Sequence, residues 1–391
     1  MAEQNLIPIA QRPYGRIIQI AVNCTRNVRR QVFEMIKDGS AFQYPEYTSQ
    51  DGTRKKMLHA DRQAENEAIR YLSKHLGKKS IAVLGEETLW EHKELDLARE
   101  HIERSGRRVT REPGAEKKTV AIVDMVDGSD LLDRNFRNWC SALVFFNPDV
   151  PEILFALIHN DNGRIYGADS QGFFTLPREN SFELQPAHKP EVVRFVEAEK
   201  DEKNNKKTLP EEIDQISICY YGQKCSHFTS MPSGFFTWAN TTPARSRLRL
   251  YNLAGNPMMA RLANGENIHA VFEHIGQYAH DAVPGLFIAL KAGAYVLDFA
   301  GNEISVETLT THLLKPSSTS LQYVVGSTRE VAEELVKALA STVVYYSCPV
   351  DPSHGGRTVP ANSGPHSCPR CGAQLVIHER RAIHLAQSAA M

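Results

Sequence analysis

The stretch VDMVDGSD, residues 123–130, places two aspartates and a Gly-Ser turn at the end of an apolar run that begins at residue 121. The apolar run predicts a β-strand, and carboxylates at the end of a strand are suited to binding hard divalent cations. If Gly128 and Ser129 open a helix, their backbone N–H groups can hold phosphate oxygens beside the metals. Asp, Gly and Ser are also common together in solvated turns, so this stretch alone leaves both interpretations open.

Two further segments favour the metal site. IAVLGEET (81–88) is a second apolar strand that ends in Gly-Glu-Glu, and HDAVPGLFIALKAGAYVLDFAGNEIS (280–305) has an Asp before a small-residue helix and a Gly-Ala pair before a strand. Together the three segments resemble the inositol monophosphatase family of Mg²⁺-dependent, lithium-sensitive phosphatases, whose relatives include fructose-1,6-bisphosphatases and nucleotide 3'-phosphatases. GEET is complete, DMVDGS lacks only the family's proline, and HDAVPG with KAG keeps the Asp and the glycines.

The resemblance implies an α/β fold of stacked αβαβα layers, the inositol monophosphatase/fructose-1,6-bisphosphatase type of sandwich. It also implies the ligands of two Mg²⁺ ions. Glu86, Asp124 and the carbonyl of Val126 match the ligands of one ion, and Asp124, Asp127 and Asp281 match those of the second. A lone Asp before a helix is commonly an N-cap, which is the alternative interpretation of Asp281.

Other roles follow from the same resemblance. Ser129 matches the hydroxyl residue that, with Glu86, orients and deprotonates the attacking water. A third, weaker metal is implied near Glu86 and Asp61, although Asp61 could equally be a helix N-cap. Gly128, Ser129 and Asp127 are the expected substrate-binding residues of the loop.

The chain departs from the family at informative positions. Met125 replaces the loop proline, which removes rigidity but no ligand, and Leu131 replaces a residue that is often Asn. His274 lies seven residues before Asp281, where inositol monophosphatases carry a Glu that binds sugar hydroxyls, and His280 replaces a Trp. His274 is therefore a candidate substrate contact, with a core or surface histidine as the alternative. These changes argue against inositol phosphate as the substrate.

Composition is that of an ordinary globular protein. The chain has 391 residues, of which 42% are hydrophobic and 23% charged, and its formal net charge of -1 gives no electrostatic indication of nucleic-acid binding. No apolar run approaches the roughly 20 residues that span a bilayer. We therefore expect a cytoplasmic protein that has no membrane partner. The resemblance implies that it binds a small phosphate ester. We also expect it to form a homodimer.

Alternating helix and strand patterns predict the domain organisation. Helices are predicted at 14–38 and 59–77, with a polar loop at 38–56 between them, and strands joined by turns at 141–174. The expected divisions are an N-terminal half at 1–195 that carries most metal ligands, a C-terminal α/β half at 196–341, and a tail at 342–391.

The tail contains the sequence CPRCG, which is typical of a zinc knuckle. Cys348, Cys368 and Cys371 supply three thiolates, and His354 is the favoured fourth ligand because imidazole binds zinc well and two glycines follow it. We thus predict a zinc-ribbon-like module with one structural Zn²⁺. A redox pair or two free thiols is the competing interpretation of the C-x-x-C. His366 and Asp351 are the alternative fourth ligands.

The sequence leaves two classes of function open. The first is a Mg²⁺-dependent phosphomonoesterase with two or three metal ions, acting on a sugar, polyol or nucleotide 3'-phosphate. The second is a non-catalytic or regulatory protein that uses the fold and the zinc ribbon to bind protein or nucleic acid. The full set of carboxylates favours the enzyme.

Overall fold

The computed structural model describes the chain in segments separated by gaps. These are residues 8–48, 54–56, 58–77, 81–86, 119–134, 138–148, 150–176, 216–221, 231, 233–241, 248–316, 320–340, 343–347, 350, 356–360, 370–371, 373 and 376–377.

Two helices begin the fold. Helix α1 spans Gly15–Asp38 and α2 spans His59–Leu76, as the apolar spacing predicts. Each ends at a glycine with positive φ, which is the usual way to terminate a helix. The segment between them was expected to be a loop, but it contains a short antiparallel hairpin of β1 (Glu46–Thr48) and β2 (Arg54–Lys56).

A six-stranded sheet follows in chain order. Its strands β3 and β4 are parallel, and the remaining neighbours are antiparallel. Asn162-Gly163 turns β6 into β7, and Gly163 has φ 85°, as the hairpin signal predicts. A short helix α3, Ser129–Asp133, follows β4. The strands are β3 Ile81–Gly85, β4 Thr119–Asp127, β5 Cys140–Asn147, β6 Glu152–Asn160, β7 Ile165–Asp169 and β8 Gly172–Leu176.

A five-stranded mixed sheet forms the second half, in the order β10-β9-β11-β13-β12. Its strands are β9 Ile216–Tyr220, β10 Leu248–Tyr251, β11 Ala270–Gln277, β12 Tyr295–Leu297 and β13 Leu321–Gly326. Its helices are α4 Ser233–Thr241, α5 Asn256–Ala263, α6 Ala279–Lys291, α7 Val306–Leu314 and α8 Arg329–Ala340.

Three cores divide these elements into five layers. The first core lies between one face of the six-stranded sheet and helices α1 and α2. The central core lies between the two sheets and contains α5, α6 and α7. The third core lies between the far face of the five-stranded sheet and helices α4 and α8. Strand β4 shows why: Ile122 faces the central core while its neighbours Ala121 and Val123 face the outer one. The predicted αβαβα sandwich is therefore confirmed.

The tail contains three short antiparallel strands, β14 Val343–Ser347, β15 Gly356–Pro360 and β16 Val376–Ile377, with β14 in the middle. The domain boundary predicted near residue 195 falls outside the described residues. Within the described parts of the chain, none of the helices has the length and apolar character needed to cross a membrane.

Candidate active site

The end of β4 carries the two aspartates of the opening motif, and a bulge turns them to the same side. Asp124 pairs with Ala142 of β5, whereas Asp127 pairs with Cys140, so three steps along β4 oppose two along β5. Without this extra residue, side chains three positions apart would point to opposite faces of the sheet. The backbone N–H of Val126 donates to Asp124 Oδ1 over 3.2 Å, which helps to fix the irregular turn.

Glu86 reaches the same edge because β3 and β4 run parallel. Gly85 lies in register with Val123, so the next residues along each strand, Glu86 and Asp124, emerge side by side. Gly128 then turns the chain with φ 93°, and the first turn of α3 closes on its carbonyl, since Leu131 N donates to Gly128 O over 2.8 Å. A side chain on Gly128 would also press against the backbone at 138–139.

Asp281 approaches from the second half of the chain. It lies in the first turn of α6, whose N-cap residue is Tyr278, so Asp281 does not cap the helix. One carboxylate oxygen each from Asp124, Asp127 and Asp281 lies within 4.8 Å of the others. With Glu86, these residues line a cavity of about 320 Å³ between the two halves.

The cluster is electrostatically unfavourable without a cation. Burial and then the neighbouring charge of Asp127 raise the pKa of Asp124 well above its ordinary value. Burial and then Asp281 raise the pKa of Asp127 to about 7, although hydrogen bonds from Asn256 oppose the rise. For Asp281, burial raises the pKa to about 6 against the opposing charge of His280. Carboxylates that disfavour one another's ionisation to this degree are typical of sites that hold cations.

The other predicted residues lie at different distances from this cluster. Val126, Gly128 and Ser129 line the cavity. Asp61 lies in the first turn of α2, but the N-cap residue of this helix is Leu58 and not Asp61. The charge of Asp61 contributes to the raised pKa of Asp124. Asp61 does not line the cavity.

His274 is buried and does not line the cavity, although the residues on either side of it, Glu273 and Ile275, do. His280 lies with Nε2 3.5 Å from Asp281 Oδ1, and its ring stacks on that of Tyr278.

A second bulge, in β11, explains the position of His274. The pairing of β11 with β13 shifts between Glu273 and Gln277, and Gly276 has φ 102°. The buried Glu273 holds the bulge, because its Oε1 accepts from Ile275 N at 2.5 Å and from Gly276 N at 3.0 Å. The bulge leaves His274 in the core beside Phe272 and turns Glu273 and Gln277 toward the cavity.

Sequence reasoning missed several residues of the site. Asn256 is buried, and its Oδ1 accepts a hydrogen bond from Gly285 N of α6 over 2.7 Å. Its side-chain N–H₂ group is therefore the donor to Asp127. Through these two bonds Asn256 connects β4 to α6. Gly255 precedes it with φ 77° and lies against Asp127. The Gly-Asn-Pro order at 255–257 is a recognisable helix start and could have identified this wall of the cavity. Tyr221, which also lines the cavity, follows β9 and carries no such signal.

The predicted zinc ligands lie mostly beyond the described residues. Cys348, His354 and Cys368 are among the residues that the structure does not describe, as are the alternatives His366 and Asp351. Cys371 is described and is exposed.

Comparisons with solved structures identify the fold. The chain is similar to the extragenic suppressor protein SuhB of Bartonella henselae, with a TM-score of 0.51, 16% identity, and 83% of this chain and 96% of that one covered. A dual specific IMPase/NADP phosphatase bound with D-inositol-1-phosphate matches with a TM-score of 0.53, 12% identity, and coverage of 84% and 96%. Staphylococcal inositol monophosphatase-1, in a 100 mM LiCl soaked inhibitory complex, matches with a TM-score of 0.52, 13% identity, and coverage of 84% and 95%.

Sequence comparison gives no such match. No family model matches the sequence, and no curated protein matches it. The chain therefore has the fold of the inositol monophosphatases at an identity too low to transfer a substrate.

Proposed function

We propose that this chain, which has the inositol monophosphatase fold, is a Mg²⁺-dependent phosphomonoesterase that acts on a small phosphorylated metabolite. The observation that carries the proposal is the convergence of Asp124, Asp127 and Asp281 on one point of a cavity that Glu86 also lines. Oxygen donors in this number suit Mg²⁺, which prefers carboxylates and retains several waters. Cations would also favour the ionised forms of the three aspartates, whose pKa values are raised first by burial and then by neighbouring carboxylates.

Two Mg²⁺ ions would be held by the carboxylates of Glu86, Asp124, Asp127 and Asp281 and the carbonyl of Val126. A third Mg²⁺ ion would bind near Glu86 and Asp61. When bound, Mg²⁺ neutralises charge on the phosphoryl oxygens and lowers the pKa of the attacking water.

The chain's own groups supply the remaining requirements. Two longer helices, α5 and α6, have their N-cap residues, Gly255 and Tyr278, in the wall of the cavity, and their N-terminal ends favour an anion there. The short helix α3 begins at Ser129 in the same wall. In this proposal the backbone N–H groups of Gly128 and Ser129 hold a phosphoryl oxygen. The hydroxyl of Ser129 orients the attacking water and relays its proton to the carboxylate of Glu86. The departing alkoxide takes a proton from solvent and leaves as the alcohol.

The substrate class that we propose is a sugar, polyol or nucleotide 3'-phosphate. A regulatory protein without catalysis is the competing function. It is disfavoured because a binding module has no use for three mutually repelling carboxylates in one cavity, where each unneutralised charge makes the fold less stable.

A phosphate-release screen tests the function. Sugar phosphates, inositol phosphates, polyol phosphates and nucleotides are incubated with the full chain in Mg²⁺ or in EDTA. We expect Mg²⁺-dependent release from at least one ester, and loss of release in Asp281→Asn. Binding of an ester without release from any of them would favour the regulatory function.

We also propose that the tail holds one structural Zn²⁺ through Cys348, His354, Cys368 and Cys371. The support is the C-x-x-C spacing together with the antiparallel strands β14 to β16 around it, because a module of about 50 residues commonly needs a metal to fold. A cytoplasmic location, a homodimer and inhibition by lithium complete the proposal; for lithium, the support is the structural neighbour that was solved as a LiCl inhibitory complex.

A further inference from the structure

Gln277 is directed into the cavity by the bulge in β11, and a buried tyrosine determines which end of its amide faces the cavity. The hydroxyl of Tyr323 donates to Gln277 Oε1 over 2.6 Å. Tyr323 is fully buried, and burial with the nearby carboxylates raises its pKa well above the ordinary value, so the hydroxyl keeps its proton. The oxygen of the Gln277 amide is therefore occupied, and its N–H₂ group is left to face the cavity.

The surroundings of this N–H₂ group support the same orientation. At Gly255, the point where a Cβ would stand lies 3.5 Å from Asp127 Oδ2 and 3.7 Å from Gln277 Nε2, so both atoms border one small space. A reversed amide would turn its oxygen toward the Asp127 carboxylate, which is unfavourable between two acceptors. Within the described residues, Gln277 Nε2 makes no hydrogen bond.

The elements that carry these groups indicate which part of a substrate they meet. Gly128 and Ser129, proposed above to hold the phosphoryl group, belong to the six-stranded side of the cavity. Gln277 is the last residue of β11 in the five-stranded sheet, and Tyr278 follows it. His274, the position that the sequence suggested for sugar recognition, is buried behind this wall.

We propose that Gln277 is a specificity-determining residue that donates an N–H to an oxygen on the alcohol part of the substrate, and that Tyr323 is the positioning residue that holds the amide in the donating orientation. This inference rests on the proposed phosphatase function. The hydrogen bond from Gln277 would favour phosphate esters that have a hydroxyl or ether oxygen close to the phosphorylated carbon over esters of plain alkyl alcohols.

Two esters that differ only in such oxygens test the proposal: glycerol 2-phosphate, with a hydroxyl on each side of the phosphorylated carbon, and isopropyl phosphate, which lacks both. Mg²⁺-dependent phosphate release is measured as kcat and KM for each. We expect the wild type to prefer glycerol 2-phosphate. In Gln277→Ala, kcat/KM for glycerol 2-phosphate should fall about fivefold to tenfold, the worth of one neutral hydrogen bond, while the value for isopropyl phosphate stays within about twofold.

Further variants separate the two roles. Gln277→Glu keeps an acceptor for Tyr323 but replaces the donor with an oxygen, so it should lose as much of the preference as Gln277→Ala or more. Tyr323→Phe should lower the glycerol 2-phosphate preference in the wild type but add nothing in the Gln277→Ala background, because it acts only through Gln277. Tyr166→Phe is the matched control, since it removes another buried hydroxyl, which donates to Glu266 over 2.6 Å. Thermal melting shows whether each variant is folded.

The outcomes distinguish this inference from the proposed function. Absence of Mg²⁺-dependent release from every ester of the screen means that the proposed function fails. An active wild type that does not prefer glycerol 2-phosphate overturns the inference, as does a Gln277→Ala variant that changes both esters equally or neither. Additive losses from Tyr323→Phe and Gln277→Ala would contradict the positioning role of Tyr323.

Discussion

Asp124→Asn is expected to abolish Mg²⁺-dependent phosphatase activity while making the metal-free protein more stable at neutral pH. Asp124 is buried among the other carboxylates and is the proposed ligand of both cations. Loss of its charge should reduce kcat/KM by on the order of 10³-fold or more, equivalent to about 4 kcal/mol of transition-state stabilisation.

The stability effect has the opposite sign. The pKa of Asp124 is raised in the fold, so its ionisation disfavours the folded state above that pKa. Asn keeps an oxygen in place to accept from Val126 N, a bond of 3.2 Å in the wild type, without the charge. We therefore expect the metal-free variant to melt at a higher temperature than the wild type at pH 8.

Phosphate-release kinetics and thermal melting with EDTA or Mg²⁺ measure both effects. Asp298→Asn is the matched control, because Asp298 is half-buried away from the cavity and its carboxylate accepts hydrogen bonds within a turn, from Ala300 N and from the backbone and side-chain N–H groups of Asn302. If Asp124→Asn keeps more than a tenth of wild-type kcat/KM, Asp124 is not the bridging ligand of the two cations. If the variant melts well below the wild type in EDTA, the charge of Asp124 does not destabilise the metal-free fold.

Three other predictions test separate parts of the account. Millimolar Li⁺ should inhibit turnover at limiting substrate, since Li⁺ can occupy a Mg²⁺ position with half the charge; equal rates with LiCl and with NaCl at matched ionic strength would contradict this. The folded protein loses the stabilising protonated carboxyls of Asp127 and Asp281 as pH rises through their pKa values of about 7 and about 6. The ionised carboxylates repel one another and bind Mg²⁺ better, so Mg²⁺ should raise the melting temperature more at pH 8 than at pH 5.5. An equal rise at both pH values would count against cation binding by these groups. Protein prepared without chelators should contain about one zinc per chain, and Cys368→Ser should lose it while the α/β core still melts cooperatively; zinc-free protein would reject the site in the tail.

The sequence was sufficient for the layers but not for the irregularities that build the site. The period of the apolar residues predicts α1, α2 and β4, because burial on one face or both leaves a direct pattern in the chain. The hairpin between α1 and α2 was missed, since strands of three residues are too short to show a period.

The bulges had no comparable signal. Strand alternation alone would have placed Asp124 and Asp127 on opposite faces, and the motif gave the right pair only through its resemblance to a known family. In β11, counting back seven residues from Asp281 selects His274, but the bulge moves that position into the core and brings Glu273 and Gln277 to the cavity. A register shift depends on long-range pairing with β13 and on hydrogen bonds that the local sequence does not specify.

The origin of the oxygen in the released phosphate distinguishes attack by water on phosphorus from every other route to the products. In the proposed reaction, water attacks phosphorus with Mg²⁺ required, in the cavity that is lined by Glu86, Asp124, Asp127 and Asp281. The ester that gives the fastest phosphate release in the screen is hydrolysed in H₂¹⁸O with Mg²⁺ or EDTA. The masses of the phosphate and the alcohol are then measured by mass spectrometry. Attack by water on phosphorus should place one ¹⁸O atom in each phosphate and none in the alcohol, and no reaction is expected in EDTA. Label in the alcohol, or release that continues in EDTA, would contradict the proposed reaction.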